Sequence, residues 1–156
     1  MLENSLVPAN EIWYTTTDGK TIKGRMDTPK KSNTYKKEKG VIVFQEPVVE
    51  IGKEAFYGCS TLQEIVIPEG VTKIGEGAFR ECTGLKRVVI PSSVTTIEDY
   101  AFRNCSSLCE IVIPEGVTEI GNDAFRDCIS LQKIVIPESV TKIGGALLAV
   151  APVCAR

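Results

Sequence analysis

From Val48 onward the apolar and polar positions of the chain repeat every 23 residues. Four units align without a gap: Val48–Gly70, Val71–Ser93, Val94–Gly116 and Val117–Ser139, and a fifth opens at Val140. Three apolar columns recur. One is Ile51, Ile74, Ile97, Ile120 and Ile143; the second is Phe56, Phe79, Phe102 and Phe125; the third is Leu62, Leu85, Leu108 and Leu131. Each unit has two halves. "LQEIVIP" alternates and is β-branched, which predicts a short strand. Its proline ends the strand, having no N–H to give. "GEGAFREC" is too short for an independent helix and predicts one helical turn. A lone unit of this kind cannot bury its apolar face. Stacked units build a continuous core and a parallel sheet, so the pattern predicts a solenoid.

Alternation also assigns the faces of the strand. Ile65 and Ile67 point inward, which sends Glu64, Val66 and Pro68 outward onto the sheet's open face, expected to be the concave one. Stacking then produces two outward columns, Glu64, Arg87, Glu110, Lys133 and Val66, Val89, Val112, Val135, and these eight are the candidate ligand-binding residues. The charged column alternates in sign and neutralises itself, each exposed pair contributing about 0–1 kcal/mol. The valine column suits cross-strand packing and equally the floor of a protein-binding surface. A further column on the turn side, Tyr57, Arg80, Arg103 and Arg126, has Glu81 and Asp127 beside it. It reads as a solvated ladder, with an anion site as the alternative.

The flanks differ from the repeat. "GVIVFQ" fits the strand register, with Ile42 and Phe44 inward and Val43 extending the valine column, so Val41–Gln45 is expected to be strand zero of the sheet. "IWYTTTDGKTI" predicts a hairpin with Asp18-Gly19 in its turn and Trp13 covering the first coil. Lys23 to Gly40 reads as a flexible connection. The chain therefore divides into a hairpin cap and connection (1–47), the repeats (48–143) and an atypical apolar tail (144–156). In the tail, "GALLAVAPVCAR", Leu148 takes the phenylalanine slot and Ala151 the cysteine slot, and the strand motif does not return. Three accounts of it stand: it folds over the last coil, it pairs with a second molecule to make a homo-oligomer, or it is a truncation product. An uncovered edge strand near Ile134–Ile136 would otherwise invite self-association.

Charge and chemistry narrow the function. The net charge is −2, which argues against a nucleic-acid partner. Between Lys20 and Lys39, eight basic residues oppose Asp27 and Glu38, so that segment carries 8 − 2 = +6 and the rest −8. A solvated loop is the plain reading and a basic contact patch the sharper one. The apolar run Ala146–Val153 is far short of the roughly 20 residues that span a bilayer. "MLENSLVPANE" lacks a basic start and an apolar core, so it does not read as a signal peptide. The chain is expected either to stay inside the cell or to begin after processing.

The chain has no histidine, which removes Ser-His-Asp and Cys-His catalysis. It carries no phosphate-binding loop or dinucleotide fingerprint, and its carboxylates lie on surface positions of the repeat. No enzyme activity and no cofactor or metal are expected. Cys59, Cys82, Cys105 and Cys128 share one repeat position and read as a column of small buried side chains. Coil spacing of roughly 4.8 Å is long for the roughly 3.8 Å Cβ–Cβ distance of a disulfide, so a ladder of bridges is not expected. Cys109 stands where other units have Gln63, Lys86 and Gln132, and is expected near solvent.

The recurring pattern I-G-x-x-A-F-x-x-C-x-x-L-x-x-I-x-I-P-x-x-V-T resembles the BspA-like leucine-rich repeats of bacterial surface proteins. The resemblance covers Val48 to about Gly144, and "NEIWYTTTDGKTI" is similar to a segment that precedes such repeats. It implies a curved right-handed leucine-rich-repeat solenoid with one parallel strand per repeat, outside the cell or at its surface. It further implies a non-catalytic module for adhesion or protein binding, with a host matrix or bacterial surface protein as partner. The alternative is a structural subunit assembling through its apolar C-terminal end.

Overall fold

The computed structural model of the chain describes residues 7–26 and 29–147. The fold starts with three strands ahead of the repeats: β1 (Glu11–Thr16), β2 (Lys30–Lys36) and β3 (Lys39–Phe44). Each coil then contributes up to two strands. The first-sheet strands are β5 (Leu62–Val66), β7 (Arg87–Val89) and β9 (Glu110–Ile111). Between them run the two-residue strands β4 (Glu50–Ile51), β6 (Lys73–Ile74), β8 (Thr96–Ile97), β10 (Glu119–Ile120) and β11 (Lys142–Ile143). Two sheets result, in the orders β2-β3-β1-β5-β7-β9 and β11-β10-β8-β6-β4. Coil-to-coil pairing is parallel in both, as between Glu64 and Arg87 or Ile51 and Ile74. The second sheet is not anticipated by the sequence pattern, because two residues are too few to show a period of two.

The apolar columns fill the space between the sheets. Phe79 stacks on Phe56 at 5.2 Å, on Phe102 at 5.1 Å, and Phe102 on Phe125 at 5.3 Å, with ring planes within 8° of parallel. The four leucines and the first four isoleucines of their columns are buried. Cys82, Cys105 and Cys128 are buried as well, and each thiol donates to the phenylalanine carbonyl of the preceding coil at 3.0–3.1 Å. A thiolate would lose that bond and its hydration together. Burial accordingly pushes the Cys128 thiol up to about 12 and those of Cys82 and Cys105 up further.

The expected helical turn does not form. In the first coil the N–H groups of Ala55, Tyr57 and Cys59 donate three residues back, to Gly52, Glu54 and Phe56, at 3.0–3.2 Å. The alternate N–H groups, of Glu54, Phe56 and Gly58, donate instead to Glu76, Ala78 and Arg80 of the next coil at 2.7–2.9 Å. A helix needs every N–H for its own ladder and negative φ throughout. Here two residues per coil take the left-handed region: Glu54 and Gly58, then Gly77 and Glu81, then Tyr100 and Asn104, then Asp123 and Asp127. The segment is a run of tight turns that reaches sideways to its neighbour, so it bonds coil to coil as the strands do.

The N-terminal region also departs from expectation. The chain turns at Asp18-Gly19, where Gly19 has φ 65°, but Thr21–Met26 forms no strand, so there is no hairpin there. The hairpin is β2–β3, closed by Lys37 and Glu38 with φ 49° and 63°. The stretch from Lys23 to Gly40 is therefore largely strand and turn. Strand β3 places Ile42 and Phe44 in the core as expected, but it pairs antiparallel with β1, and β1 is inserted between β3 and β5. Val41–Gln45 is not the strand next to the repeats. Trp13 does stand against the first coil, paired with Val66 on the outer face of β1, while Ile12 and Tyr14 on the opposite face are fully buried.

Candidate functional site

The open face of the first sheet presents the candidate residues unevenly. Glu64, Arg87 and Glu110 are in register on β5, β7 and β9, and Arg87 Nε lies 4.0 Å from Glu110 Oε1. Val66 pairs with Val89 in the same register. Pairing fades along the stack as the strands shorten from five residues to three and then two. Residues 131–137 form no strand, so the expected edge strand near Ile134–Ile136 is not present and Lys133 and Val135 stand exposed beyond the paired sheet.

Exposure divides the valine column. Val66 is 0% exposed, because β1 sets Trp13 opposite it on the outer face. Val66 is therefore closed to a ligand. Val89 is half-buried, and Val112 and Val135 are 69% and 60% exposed. A shallow hollow of about 90 Å³, lined in part by Arg87, Val89, Glu110 and Val112, lies between β7 and β9. At the other end Glu64 Oε2 is buried without a hydrogen-bond partner. The exposed part of the face is its C-terminal half, where Val89, Val112 and Val135 are flanked by Arg87, Glu110 and Lys133.

Sequence reasoning set Trp13 over the first coil but missed its place in the valine row and its contact with Lys39. Trp13 continues the valine row between Val41 and Val66, its indole N–H donates to Glu11 Oε2 at 2.7 Å, and Lys39 Nζ sits 3.7 Å from its ring centroid. The signal was the alternation of "EIWYTT", which puts Trp13 opposite Ile12 and Tyr14.

The turn-side arginines are salt-bridged: Arg80 to Glu81 at 3.6 Å, Arg103 to Asp123 at 3.5 Å, and Arg126 to Asp123 and Asp127 at 3.2 and 3.6 Å. Arg25 and Arg80 also stack on Tyr57, at 5.1 and 5.7 Å. Such partners favour the ladder over an anion site. Among the described residues no group of three or more acidic or cysteine side chains could hold a metal ion, and no helix is long and apolar enough to cross a membrane.

Cys109 is exposed and Cys59 half-buried, in contrast to the other three column thiols. In the native chain Ellman's reagent is expected to modify Cys109 within minutes, while Cys82, Cys105 and Cys128 react only after denaturation. Peptide mapping of the labelled protein checks this, and early label on Cys105 would contradict the packing described above.

Parallel coils stacked on shared phenylalanine, leucine and isoleucine columns define a β-solenoid repeat protein of about four turns. A family model described as a BspA type leucine-rich repeat region (6 copies) matches residues 32–149, and the chain belongs to that family. A leucine-rich repeat protein of T. pallidum is 43% identical with a TM-score of 0.63, over 64% of this chain and 47% of the other. One from Bacteroides ovatus is 30% identical with a TM-score of 0.64, over 92% of this chain and 38% of the other. A leucine-rich cell surface protein from Faecalibacterium prausnitzii is 45% identical with a TM-score of 0.54, over 57% and 23%. The chain thus spans less than half the length of these solved relatives. No curated protein sequence matches it.

Proposed function

We propose that this chain is a non-catalytic protein-binding module that works at the cell surface or outside the cell. Its contact surface is the C-terminal half of the open sheet face. The observation that carries the reading is the exposure of Val112 and Val135 in a row whose first member, Val66, is buried. Two large β-branched side chains in water, rimmed by Arg87, Glu110 and Lys133, supply an apolar centre with a charged edge. Interfaces that bind proteins share that anatomy. Kinship with a cell surface protein supports the location, and a host matrix or bacterial surface protein is the partner class.

The test is binding to a panel of immobilised matrix and bacterial surface proteins, run beside Val89→Glu/Val112→Glu/Val135→Glu. Val66 is left intact, since a glutamate there would bury a charge and unfold the sheet. The expected result is at least a tenfold loss of affinity with the melting transition kept. Equal binding by parent and variant would move the site off this face.

A second reading, assembly through the C-terminal end, rests on the isoleucine column. Ile51, Ile74, Ile97 and Ile120 are buried, and Ile143 is 49% exposed. The tail slots of Leu148 and Ala151 lie outside the described residues. Sedimentation of the same sample separates the readings: a monomer at every concentration removes assembly.

A further inference from the structure

Strand β2 is the outer edge of the first sheet and, at seven residues, the longest strand among the described residues. One side pairs with β3 in the register Ser32–Val43, Asn33–Ile42, Thr34–Val41, Tyr35–Gly40, Lys36–Lys39. Among the described residues no strand pairs with the other side. The register tells which groups are left over. Lys36 and Lys39 flank a two-residue turn and form the closed, doubly hydrogen-bonded pair of a tight hairpin. Antiparallel pairs alternate, so Thr34 bonds to Val41, whereas the N–H and C=O of Tyr35 and Asn33 face away from β3. The side chains of Asn33 and Tyr35 are anchored beneath: Asn33 Oδ1 accepts from the Tyr14 hydroxyl at 2.6 Å, Asn33 Nδ2 donates to Ile22 C=O at 2.9 Å, and the Tyr35 ring lies 6.0 Å from that of Tyr14. The edge is thus held in extended form before anything binds it.

The charge around this edge is predominantly positive, five lysines against the one carboxylate of Glu38 in the turn. Lys30, Lys31 and Lys36 lie on β2, with Lys37 in the turn and Lys39 opening β3. The ion pairs described for the coils, such as Lys53 with Glu76 and Lys142 with Glu119, do not involve these five lysines. A groove of about 830 Å³ runs from this hairpin along the end of β1, where Lys36, Lys37 and Lys39 outnumber Glu38 and Glu64 in its lining.

We propose that the free edge of β2 binds an acidic, extended peptide segment of a partner protein as an added strand. The peptide backbone takes the outward N–H and C=O groups of Asn33 and Tyr35, and its carboxylates meet the lysines. Lysines on an exposed edge ordinarily protect it from pairing. They do so by charge, and the protection reverses for a strand of opposite sign. A second copy of β2 is disfavoured, since it would set lysines opposite lysines. A polyanion such as a nucleic acid satisfies the lysines but not the alternating donors and acceptors, which only another peptide backbone complements.

The probe is a fluorescent eight-residue peptide in which glutamate alternates with threonine, titrated with the full chain. Two versions carry N-methyl groups on alternate residues, one set or the other, so each blocks one edge of the peptide only. The expected result is saturable binding that one methylated version loses by at least tenfold and the other keeps. Lys31→Glu/Lys36→Glu, both at exposed positions, is expected to weaken binding at least tenfold with an unchanged melting temperature, and Val112→Glu to leave it intact. Equal binding by both methylated versions would overturn strand addition, as would absence of binding by the parent peptide. Tighter binding of single-stranded DNA at the same site, or dimerisation abolished by Lys31→Glu/Lys36→Glu, would overturn the peptide as occupant.

Discussion

Phe102→Ala is expected to cost about 3–5 kcal/mol, the range for removing a buried phenylalanine and leaving a cavity. Phe102 has a ring on either side, 5.1 Å from Phe79 and 5.3 Å from Phe125, and no exposed surface. A cavity in the middle of the stack cannot collapse easily, because the backbone of each flanking phenylalanine is hydrogen-bonded to the next coil. Phe79 N–H donates to Ala101 C=O at 2.8 Å and Phe125 N–H to Leu147 C=O at 3.3 Å. The loss also falls on coupling between coils. A solenoid unfolds as a chain of nearest-neighbour interfaces, so guanidinium denaturation of the variant is expected to show a lower midpoint and a shallower slope. A loss under about 1 kcal/mol would mean that the phenylalanine stack is not the spine of the core.

Gly40→Val is expected to be the most damaging substitution in the N-terminal strands, costing about 3 kcal/mol, the upper part of the range for overpacking. Gly40 stands opposite Tyr14 in the β1–β3 register, and the phenol ring lies across its α-carbon. A Cβ at that position would occupy the space of the ring atoms Cζ, Cε1 and Cε2. The ring has nowhere to go. It is fully buried, its hydroxyl donates to Asn33, and burial already raises the pKa of that hydroxyl. Swinging it aside would expose apolar surface and leave Asn33 Oδ1 unpaired. The single tryptophan, Trp13, is on the same strand and reports the event. Its fluorescence is expected to shift red at a lower denaturant concentration than the loss of far-ultraviolet signal. Coincident, wild-type-like transitions would show that the ring moves freely and that the prediction fails.

The repeat itself was legible because a period of 23 residues places identical side chains at identical depths. The phenylalanine, leucine and cysteine columns, the inward Ile65 and the exposed Cys109 all follow from that regularity. What escaped depends on backbone states that side chains announce poorly. The turn segment looked helical because Glu54, Glu81, Tyr100 and Asp123 carry side chains that seldom adopt positive φ. Their backbones take it to aim alternate N–H groups at the next coil. The hairpin was assigned to Asp18-Gly19, a strong turn signal, and missed at Lys37-Glu38, a weak one. The exposure of the candidate face was not legible along its whole length for a related reason. Burial of Val66 is decided by β1, and nothing in the repeat tells that an antiparallel strand far back in the sequence inserts beside β5.

The coils share their core contacts so closely that the phenylalanines, leucines and isoleucines cannot distinguish one neighbour from the next. A chain slipped by one whole unit would restore nearly the same interior, with one coil extruded. Two features make the count definite. Strand β1 pairs with β5 and with no other repeat strand, so numbering starts from a fixed origin. Paired differences between adjacent coils supply a second reference: Ser93 Oγ accepts from the Gly70 N–H at 3.0 Å and donates to Val71 C=O at 2.8 Å, and Ser139 repeats the second bond on Val117. Adding or deleting one unit would break the alternation of Gly70, Ser93, Gly116 and Ser139, whereas adding or deleting two would keep it and change only the length of the open face, so the reach of the solenoid varies in steps of two coils.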